Sequence, residues 1–290
     1  MVDLVKVRYF LHSTGKALLG RGSGCPSCGG AAAETVDRKY TVTRLVRCGR
    51  CKLLYRAPTT GTVESTAFYQ EEYEQGFTTE LPDDARLAEL LRNGFRDTEK
   101  DYGGYLAVLE ALGGRPGHLL LDFGCSWGYG SWQFTRAGYH VKAFEISQPR
   151  CRFAREKLGL DAVSRLEEVG DGFDVVFSAH VLEHVPSVEE AVAFGLNALR
   201  PGGIWVAFTP NGCASYRAVN PYCWHLSWGY VHPQLLDDVY CRRRFADKPY
   251  AIASNPYDRQ ALSAWDGAGQ VVLGLEGSEL LVAVRKRETR

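Results

Sequence analysis

Four cysteines near the start of the chain have the spacing of metal ligands. Cys25 and Cys28 lie in C-P-S-C-G, and Cys48 and Cys51 lie in C-G-R-C after nineteen intervening residues. Zinc binds four thiolates tetrahedrally, and two C-x-x-C turns with neighbouring glycines can supply two sulfurs each. The connecting K-Y-T-V-T-R-L-V-R is β-branched and alternating, as a hairpin should be. We therefore predict a structural zinc site in a small ribbon, because a redox pair would need only one C-x-x-C.

A glycine-rich turn follows a short apolar run in L-L-L-D-F-G-C-S-W-G-Y-G, residues 119–130. The apolar run predicts a buried strand, and Gly124, Gly128 and Gly130 allow a tight turn into a helix. A dinucleotide site has the spacing G-x-G-x-x-G, whereas the spacing here is G-x-x-x-G-x-G with Ser126 in the middle. The turn is consistent with a ligand site or with close packing alone.

A second acidic residue makes a ligand site the stronger interpretation. Glu145 follows Asp122 by 23 residues and closes the next predicted strand. An acidic side chain at that place can accept hydrogen bonds from both hydroxyls of a ribose. The pair of acids therefore favours a ligand that contains adenosine.

These side chains must be positioned by a sheet, and the pattern after the turn predicts one. Strands are expected in Y-H-V-K-A-F-E-I-S, L-D-A-V, F-D-V-V-F-S-A-H and I-W-V-A-F-T-P, with helices between them. Ser187 and Glu190 form a predicted capping box, and Pro201-Gly202-Gly203 is the predicted helix stop. Such alternation predicts an α/β fold with a doubly wound, mostly parallel sheet, whose ligands lie beyond the carboxyl ends of the strands.

The spacing of apolar residues before the turn predicts helices. Leucines and aromatic residues recur there at helical spacing, at Leu87, Leu90, Leu91 and Phe95 and again at Tyr105, Leu106, Leu109 and Leu112. Tyr69, Tyr73 and Phe77 also repeat every four residues. Residues at this spacing either line a pocket or belong to the core, and the sequence leaves both interpretations open.

Composition limits the classes of protein. The chain has 290 residues, 45% of them hydrophobic, and a formal net charge of zero, so no global field attracts nucleic acid or membrane. Its apolar stretches are shorter than the ~20 residues of a membrane span, and its start lacks the core of a signal peptide. We expect a cytoplasmic protein whose nine cysteines are thiols or metal ligands rather than disulfides.

The motifs together resemble a known family. D-F-G-C-S-W-G, then F-D-V-V-F-S-A-H-V-L-E-H-V-P and L-R-P-G-G, resemble the class I methyltransferases that use S-adenosylmethionine and have a Rossmann-like fold. The resemblance covers residues 118–211. With the ribbon in front, the chain also resembles bacterial methyltransferases associated with sugars, surface glycans or secondary metabolites.

The resemblance implies a set of cofactor-binding residues. Asp122, Gly124 and Cys125 would hold the methionine end, Glu145 the ribose, and Ser164 and Arg165 the adenine edge. Ile146 and Ser147 would flank the ribose and adenine, and Ala179 and His180 the sulfur that carries the methyl group. Ser126 and Gly128 complete the turn. Ser126 departs from the family because a glycine is usual there, and no Asp stands where many relatives contact the adenine amino group.

Charge and motifs together predict three parts. Residues 1–60 carry eleven Lys or Arg against three Asp or Glu, whereas residues 61–110 carry four against twelve. We predict a zinc ribbon with an N-terminal extension over 1–60, a helical linker or cover over 61–117, and an S-adenosylmethionine-binding domain over 118–290. An insertion at about 211–250 is expected to cover the acceptor.

Three histidines are candidate bases for a protonated acceptor: His184, His225 and His232. The last two lie in N-P-Y-C-W-H-L-S-W-G-Y-V-H-P-Q, whose aromatic residues suit stacking on a sugar or a flat metabolite. We predict methyl transfer to the oxygen of a small molecule or glycan. Two alternatives remain: an RNA methyltransferase whose basic ribbon grips phosphate, and a non-catalytic scaffold whose ribbon binds a protein partner. The sequence predicts no oligomeric state.

Overall fold

The computed structural model describes residues 14–16, 22, 24–40, 42–59 and 80–288. The aromatic residues Tyr69, Tyr73 and Phe77 lie outside the described residues. In the described ranges, no helix combines the length and the apolar character that crossing a membrane requires. The boundaries predicted at residues 60 and 117 remain predictions.

The described strands, in chain order, are β1 (Ala33–Lys39), β2 (Thr43–Cys48), β3 (Leu54–Ala57), β4 (Leu119–Phe123), β5 (His140–Phe144), β6 (Asp161–Val163), β7 (Phe173–Ala179), β8 (Leu199–Pro210), β9 (Gln234–Leu235), β10 (Tyr250–Ser254), β11 (Gln270–Val272) and β12 (Glu279–Arg285). The α-helices are α1 (Asp84–Asn93), α2 (Gly103–Ala111), α3 (Tyr129–Arg136), α4 (Gln148–Leu158), α5 (Val188–Ala198), α6 (Ala214–Val219), α7 (Pro221–Leu226), α8 (Asp238–Arg244) and α9 (Arg259–Ala264). A 3₁₀ turn spans Leu166–Glu168.

The larger sheet has the order β6-β5-β4-β7-β8-β12-β10-β11. Neighbouring strands from β6 to β8 are parallel, and β12 runs antiparallel between β8 and β10. The predicted doubly wound, mostly parallel sheet is therefore confirmed.

Helices pack on both faces of this sheet because successive strand residues point to opposite sides. Leu121 and Val176 face the cluster that contains Val192 of α5. Leu120 and Val175, their neighbours in sequence, face the opposite cluster with α2 and α9. This alternation buries both faces and leaves the strand ends for function.

Side-chain caps set the start of several helices. A side-chain oxygen accepts a hydrogen bond from the first turn at Asp83, Ser187, Asn220, Asp237 and Asp258. The cap predicted at Ser187 is present, since its Oγ accepts from the Glu190 amide at 3.3 Å.

The predicted helix stop at Pro201-Gly202-Gly203 is wrong. Helix α5 ends at Ala198, and these three residues lie inside β8. The cause is a hydrogen-bonding partner, Lys286, that comes much later in the sequence. The Gly202 amide donates to the Lys286 carbonyl, and the Lys286 amide donates to the Gly203 carbonyl, so the antiparallel pairing with β12 draws this segment into the sheet.

The ribbon forms a second, smaller sheet with the order β1-β2-β3-β9. Its fourth strand comes from the segment after β8, since Leu54 pairs with Leu235 and Tyr55 with Gln234. Trp224 and Trp228 are buried against Leu45 of the ribbon. The predicted insertion therefore packs onto the ribbon.

Two arginines hold the ribbon to this segment. Arg47 lies 2.6 Å from the carboxylate of Asp237, which is 1% exposed. Burial raises the pKa of Asp237, and Arg47 opposes that rise. Arg56 is buried and donates to the carbonyls of Gly229 and Tyr230, both at 3.1 Å. These contacts tie the ribbon to residues 229–237.

Removing the cation at position 47 is expected to destabilise the protein. Arg47→Met leaves the Asp237 carboxylate buried without its ion-pair partner, so the free energy of unfolding should fall by about 3 kcal/mol. Arg44→Met is the matched control, because Arg44 is an exposed arginine on the same strand. Urea unfolding measures both variants. Equal, small changes in the two variants would show that the ion pair does not hold this interface.

Candidate functional site

The turn after β4 needs a glycine at its first position. Gly124 has φ +87°, and a Cβ there would lie 2.4 Å from Cγ2 of Val181. The amides of Gly124 and Cys125 both donate to the carbonyl of Phe144, at 2.8 and 3.0 Å. The close approach to Val181 and the bonds to β5 explain why the chain turns here.

Ser126 adopts a backbone conformation that favours glycine. Its φ is +53°, and its Oγ is buried without a hydrogen-bond partner in the structure. A non-glycine residue at positive φ costs about 1–3 kcal/mol, and such strain concentrates at functional sites. The departure from the family at this position is therefore tolerated at an energetic cost.

The carboxylate of Glu145 bridges two loops. Its Oε2 accepts from the Ser126 amide at 3.0 Å, and its Oε1 accepts from the Ser147 amide at 2.8 Å. Burial raises the pKa of Glu145, although the two amides and Arg150 oppose the rise. Each carboxylate oxygen can accept a second hydrogen bond. Glu145 can thus hold the turn and still accept from a ligand hydroxyl.

Asp122 is buried near the end of β4, where its side chain is 2% exposed. Its Oδ2 accepts from the hydroxyl of Ser131 at 2.5 Å. Burial raises the pKa of Asp122 to about 7, against the hydrogen bond from Ser131. Asp122 therefore connects β4 to α3 from behind the turn.

A cleft of about 330 Å³ opens at the carboxyl ends of β4, β5 and β7. Its lining includes six of the predicted cofactor residues: Gly124, Ser126, Glu145, Ile146, Ala179 and His180. The other six are not in the lining: Asp122, Cys125, Gly128, Ser147, Ser164 and Arg165.

The cleft also has walls that the sequence analysis missed. The aromatic rings of Phe123 and Phe144 stack with their centroids 5.1 Å apart, and Leu166 lies nearby in the lining. Residues 185–187 and three residues of α5 form another part. Phe123 and Phe144 directly precede predicted site residues, which was a usable signal. The α5 residues carried no signal, because only the crossover after β7 brings them to the cleft.

Two carboxylates flank His180 at the edge of the cleft. Its Nε2 lies 2.8 Å from Oε2 of Glu279, and its Nδ1 lies 3.3 Å from Oε1 of Glu183. Burial disfavours the imidazolium, but the interactions with the carboxylates of Glu183 and Glu279 outweigh burial and raise the pKa of His180 to about 10. His180 is therefore a cation at neutral pH.

The hydroxyls of two tyrosines complete this network. Tyr105 donates to Oε2 of Glu279 at 2.7 Å, and Tyr257 donates to its Oε1 at 2.6 Å. Burial raises the pKa of Glu279, but the bonds from His180 and the tyrosines outweigh it and lower the pKa. The network joins α2, β7, β12 and the loop after β10.

His184 and His232 lie together, with ring centroids 4.7 Å apart. The Nδ1 of His184 is 2.9 Å from the Val231 carbonyl, and that of His232 is 2.9 Å from the Ser227 carbonyl. Burial lowers the pKa of His184 to about 4, so its imidazole is neutral. His184 lines the cleft, whereas His232 stands behind it. The structure thus brings two of the three predicted bases together.

The third predicted base lies elsewhere. The Nδ1 of His225 is 2.7 Å from the carboxylate of Asp37 in the ribbon, and His225 is not in the lining of the cleft. Trp224 and Trp228 are 1% exposed and pack on the ribbon. The expectation that these rings stack on an acceptor is wrong for Trp224 and Trp228, because the ribbon covers their surfaces.

The four ribbon cysteines converge. Their four sulfur atoms, from Cys25, Cys28, Cys48 and Cys51, all lie within 4.8 Å of one another. The sulfurs of Cys25 and Cys51 are 3.5 Å apart, as are those of Cys28 and Cys48. Zinc–sulfur bonds of about 2.3 Å place tetrahedral sulfurs roughly 3.8 Å apart, so the group has the size of a zinc site.

Comparison with known families identifies the central region. Residues 121–207 match a family described as "Methyltransferase domain". The matched region runs from β4 into β8 and contains Glu145, His180 and most of the cleft wall.

Curated relatives match over the same part of the chain. A ubiquinone biosynthesis O-methyltransferase from Agrobacterium fabrum is 31% identical over 39% of this chain and 51% of its own length. A 24-methylenesterol C-methyltransferase 2 from Oryza sativa subsp. japonica is 32% identical over 39% of this chain and 35% of its own length. A phosphoethanolamine N-methyltransferase 2 from Caenorhabditis elegans is 31% identical over 35% of this chain and 26% of its own length. The chain thus spans about half of the first relative and less of the other two.

Among solved structures, a magnesium protoporphyrin IX methyltransferase from Synechocystis PCC 6803 with bound SAM has a TM-score of 0.47. It is 15% identical, over 78% of this chain and 96% of that one. The plantazolicin methyltransferase in complex with SAH and a desmethyl analogue has a TM-score of 0.49. It is 13% identical, over 77% of this chain and 96% of that one. From the family match and the curated relatives, residues 121–207 form a methyltransferase domain of the class I type that uses S-adenosylmethionine.

Proposed function

We propose that the protein transfers a methyl group from S-adenosylmethionine to an oxygen atom of a small molecule or glycan. The observation that carries the proposal is the meeting of the Gly124 turn and the Glu145 carboxylate in one cleft, at the carboxyl ends of adjacent parallel strands. Ligands of open α/β sheets bind at this edge.

The residues of the cleft suit a nucleoside. Glu145 retains acceptor capacity for ribose hydroxyls beyond the two amides that it already accepts. Phe144, Ile146 and Leu166 offer apolar surface for an adenine ring beside it. A cleft of about 330 Å³ lies in the range of pockets that bind small molecules and cofactors.

When bound, S-adenosylmethionine supplies a methyl group that its sulfonium already activates. The chain must then hold the acceptor close and in line, which is worth up to ~7 to 11 kcal/mol. Ala179 and His180 lie at the end of β7 in the cleft lining, and the imidazolium of His180 is held by the carboxylates of Glu183 and Glu279, which are not in the lining. This charged wall suits an acceptor with several hydroxyl groups.

A hydroxyl acceptor must also lose its proton. His180 is a poor base because Glu183 and Glu279 keep it protonated. The neutral imidazole of His184 stands at the cleft wall, with Glu183 and His232 behind it. We assign deprotonation of the acceptor to this group. The curated relatives include O-, C- and N-methyltransferases at similar identity, so the choice of oxygen rests on these side chains.

The basic ribbon gives less support to an RNA substrate. Arg47 pairs with Asp237, Arg56 is buried, and Lys39 donates to the carbonyl of Trp228 while its amine lies 4.6 Å from that ring's centroid. These three cations hold the ribbon to the rest of the chain and are not displayed to phosphate, so of the arginines that the structure describes in the ribbon, only the exposed Arg38, Arg44 and Arg50 are left to bind it.

We also propose that the four ribbon cysteines hold a structural zinc ion. The protein should keep one zinc per chain after brief dialysis against EDTA, because a closed site of four thiolates exchanges slowly. Cys28→Ser/Cys51→Ser should lose this zinc and melt at a lower temperature, since metal binding contributes to the folding of such ribbons. Elemental analysis and thermal melting measure these effects. Cys223→Ser, which changes an exposed cysteine, is the control. Wild-type protein without zinc would contradict the proposal.

The role of Glu145 can be tested with the reaction product. Glu145→Ala removes hydrogen bonds from a charged acceptor to the ribose, each worth roughly 1.5 to 3 kcal/mol, so S-adenosylhomocysteine should bind about 10- to 100-fold more weakly. Isothermal titration calorimetry measures the affinity. Glu156→Ala, an exposed acid on α4, is the control and should bind normally.

Because Glu145 also accepts from Ser126 and Ser147, its loss could disturb the turn. Glu145→Gln keeps an acceptor oxygen with less charge and should show an intermediate affinity. Unchanged affinity in a folded Glu145→Ala protein would mean that the ribose is bound elsewhere.

A further inference from the structure

Three metal-ligand side chains meet beside the cleft, about which the family match says nothing. Glu183, His184 and His232 each offer one ligand atom, and these atoms lie within 4.8 Å of one another. The Nε2 of His184 is 3.9 Å from Oε1 of Glu183. This group is separate from the four ribbon cysteines.

The hydrogen bonds of both imidazoles determine which nitrogen faces the group. A backbone carbonyl only accepts, so the Nδ1 atoms of His184 and His232 must carry the hydrogens that point at Val231 and Ser227. In a neutral ring the Nε2 atom then has a lone pair. Such a bond on the other nitrogen is the usual second contact of a metal-binding histidine.

The carboxylate completes the set. Glu183 is fully buried; its Oε2 accepts from the hydroxyl of Thr209 at 3.1 Å, whereas its Oε1 is buried and has no hydrogen-bond partner in the structure. The nearest cation, His180, lies 3.3 Å from Oε1 but is also held by Glu279 at 2.8 Å. A buried carboxylate oxygen whose nearest cation is shared with a second carboxylate can still accept another partner, so a ligand that binds it is favoured.

We propose that Glu183, His184 and His232 form a site for one divalent first-row transition-metal ion. Two imidazole nitrogens and one carboxylate oxygen are a ligand set that zinc, iron and related ions take in proteins. Tetrahedral ligands at bonds of about 2.0–2.1 Å stand roughly 3.4 Å apart, so the three atoms, which lie within 4.8 Å of one another, must close by up to about 1.4 Å through small side-chain movements.

The site adjoins the cleft, because His184 is part of the cleft lining. Three protein ligands leave coordination positions for water or a substrate oxygen. With its Nε2 lone pair on the ion, His184 would act through the metal and not as a free base: a hydroxyl bound there would lose its proton to solvent more readily, since a bound cation lowers the pKa of a coordinated oxygen. This role rests on the proposed function, whereas the metal site itself does not.

Hydrogen bonds from the ribbon hold the backbone on both sides of His232. The Arg56 amide donates to the carbonyl of Pro233, and the Arg56 guanidinium holds the carbonyls of Gly229 and Tyr230 on the other side of His232. Gln234 donates from its side chain to the carbonyl of Val185 in the cleft wall. Residue 232 lies outside the matched domain, so the site combines that domain with a ligand that the ribbon positions.

Cobalt binding tests the site without reference to activity. Full-length protein that retains its ribbon zinc is stripped of loosely held ions and titrated with Co²⁺, and visible absorption is recorded. We expect one cobalt per chain, with d–d bands and without the thiolate charge-transfer bands of a cysteine site. Glu183→Gln and His232→Ala should each weaken binding at least tenfold.

His140→Ala is the matched control, because His140 is an exposed histidine on β5, remote in sequence from the three ligands. His232→Gln is made alongside, and circular dichroism selects the folded variant for comparison. Equal cobalt affinity in wild type and a folded His232 variant would overturn the proposal, as would the absence of cobalt binding in the wild type.

Glu145→Ala separates this inference from the proposed function. It should bind cobalt as tightly as the wild type does while losing affinity for S-adenosylhomocysteine. Cobalt binding that depends on His232 supports the site even if no methyl transfer to oxygen is found. Loss of cobalt binding in Glu145→Ala to the same degree as in His232→Ala would count against a site made by these three residues.

Discussion

The parallel pairing of β4 with both β5 and β7 is the constraint on which the site depends. Asp122 pairs with Ala143 on one side and with Phe177 on the other, so three strands end at the same level. Since strands in this arrangement are parallel, each is followed by a loop at the same edge of the sheet. The turn at Gly124, the carboxylate of Glu145 and the imidazole of His180 meet for this reason, although they come from separate stretches of chain.

Two residues with an unfavourable backbone conformation lie at that edge, together with several charged side chains. Ser126 and His180 both have positive φ, at 53° and 54°; His180 directly follows β7, and Ser126 is the third residue after β4. The amide of Ser126 is held by Glu145, and the amide of His180 donates to the carbonyl of Phe208. Hydrogen bonds to neighbouring strands thus offset the cost of an unfavourable backbone. The surrounding sheet keeps both residues in place at the cleft.

The ribbon is joined to the methyltransferase domain by groups that would be costly to bury alone. Asp237 is buried with Arg47, and Arg56 is buried among backbone carbonyls. Removing one partner leaves a buried charge or carbonyl without its ion-pair or hydrogen-bond partner. The attachment therefore requires these particular residues to meet. The ribbon in this way positions residues 229–237, including His232 and Gln234, against the wall of the cleft.

Local patterns in the sequence determined the sheet, the glycine turn, the ribbon hairpin and seven of the nineteen residues that line the cleft. Periodicity predicted β4 to β8 because burial of a strand or a helix face is decided over a few neighbouring residues. The spacing of Cys25, Cys28, Cys48 and Cys51 was informative because both knuckles are local turns. Glu145 was found because its distance from Asp122 reflects one strand–helix–strand unit.

Only the tertiary structure decided how distant segments meet. Glu279 reaches His180 because β12 inserts antiparallel beside β8, and the same pairing drew Gly202 and Gly203 into a strand. His225 was assigned to the acceptor and instead contacts Asp37, since the ribbon covers the segment after β8. Glu183, His184 and His232 come together across 48 residues of chain. Contacts between such segments depend on the packing of whole elements, and no period or spacing in the sequence encodes that packing.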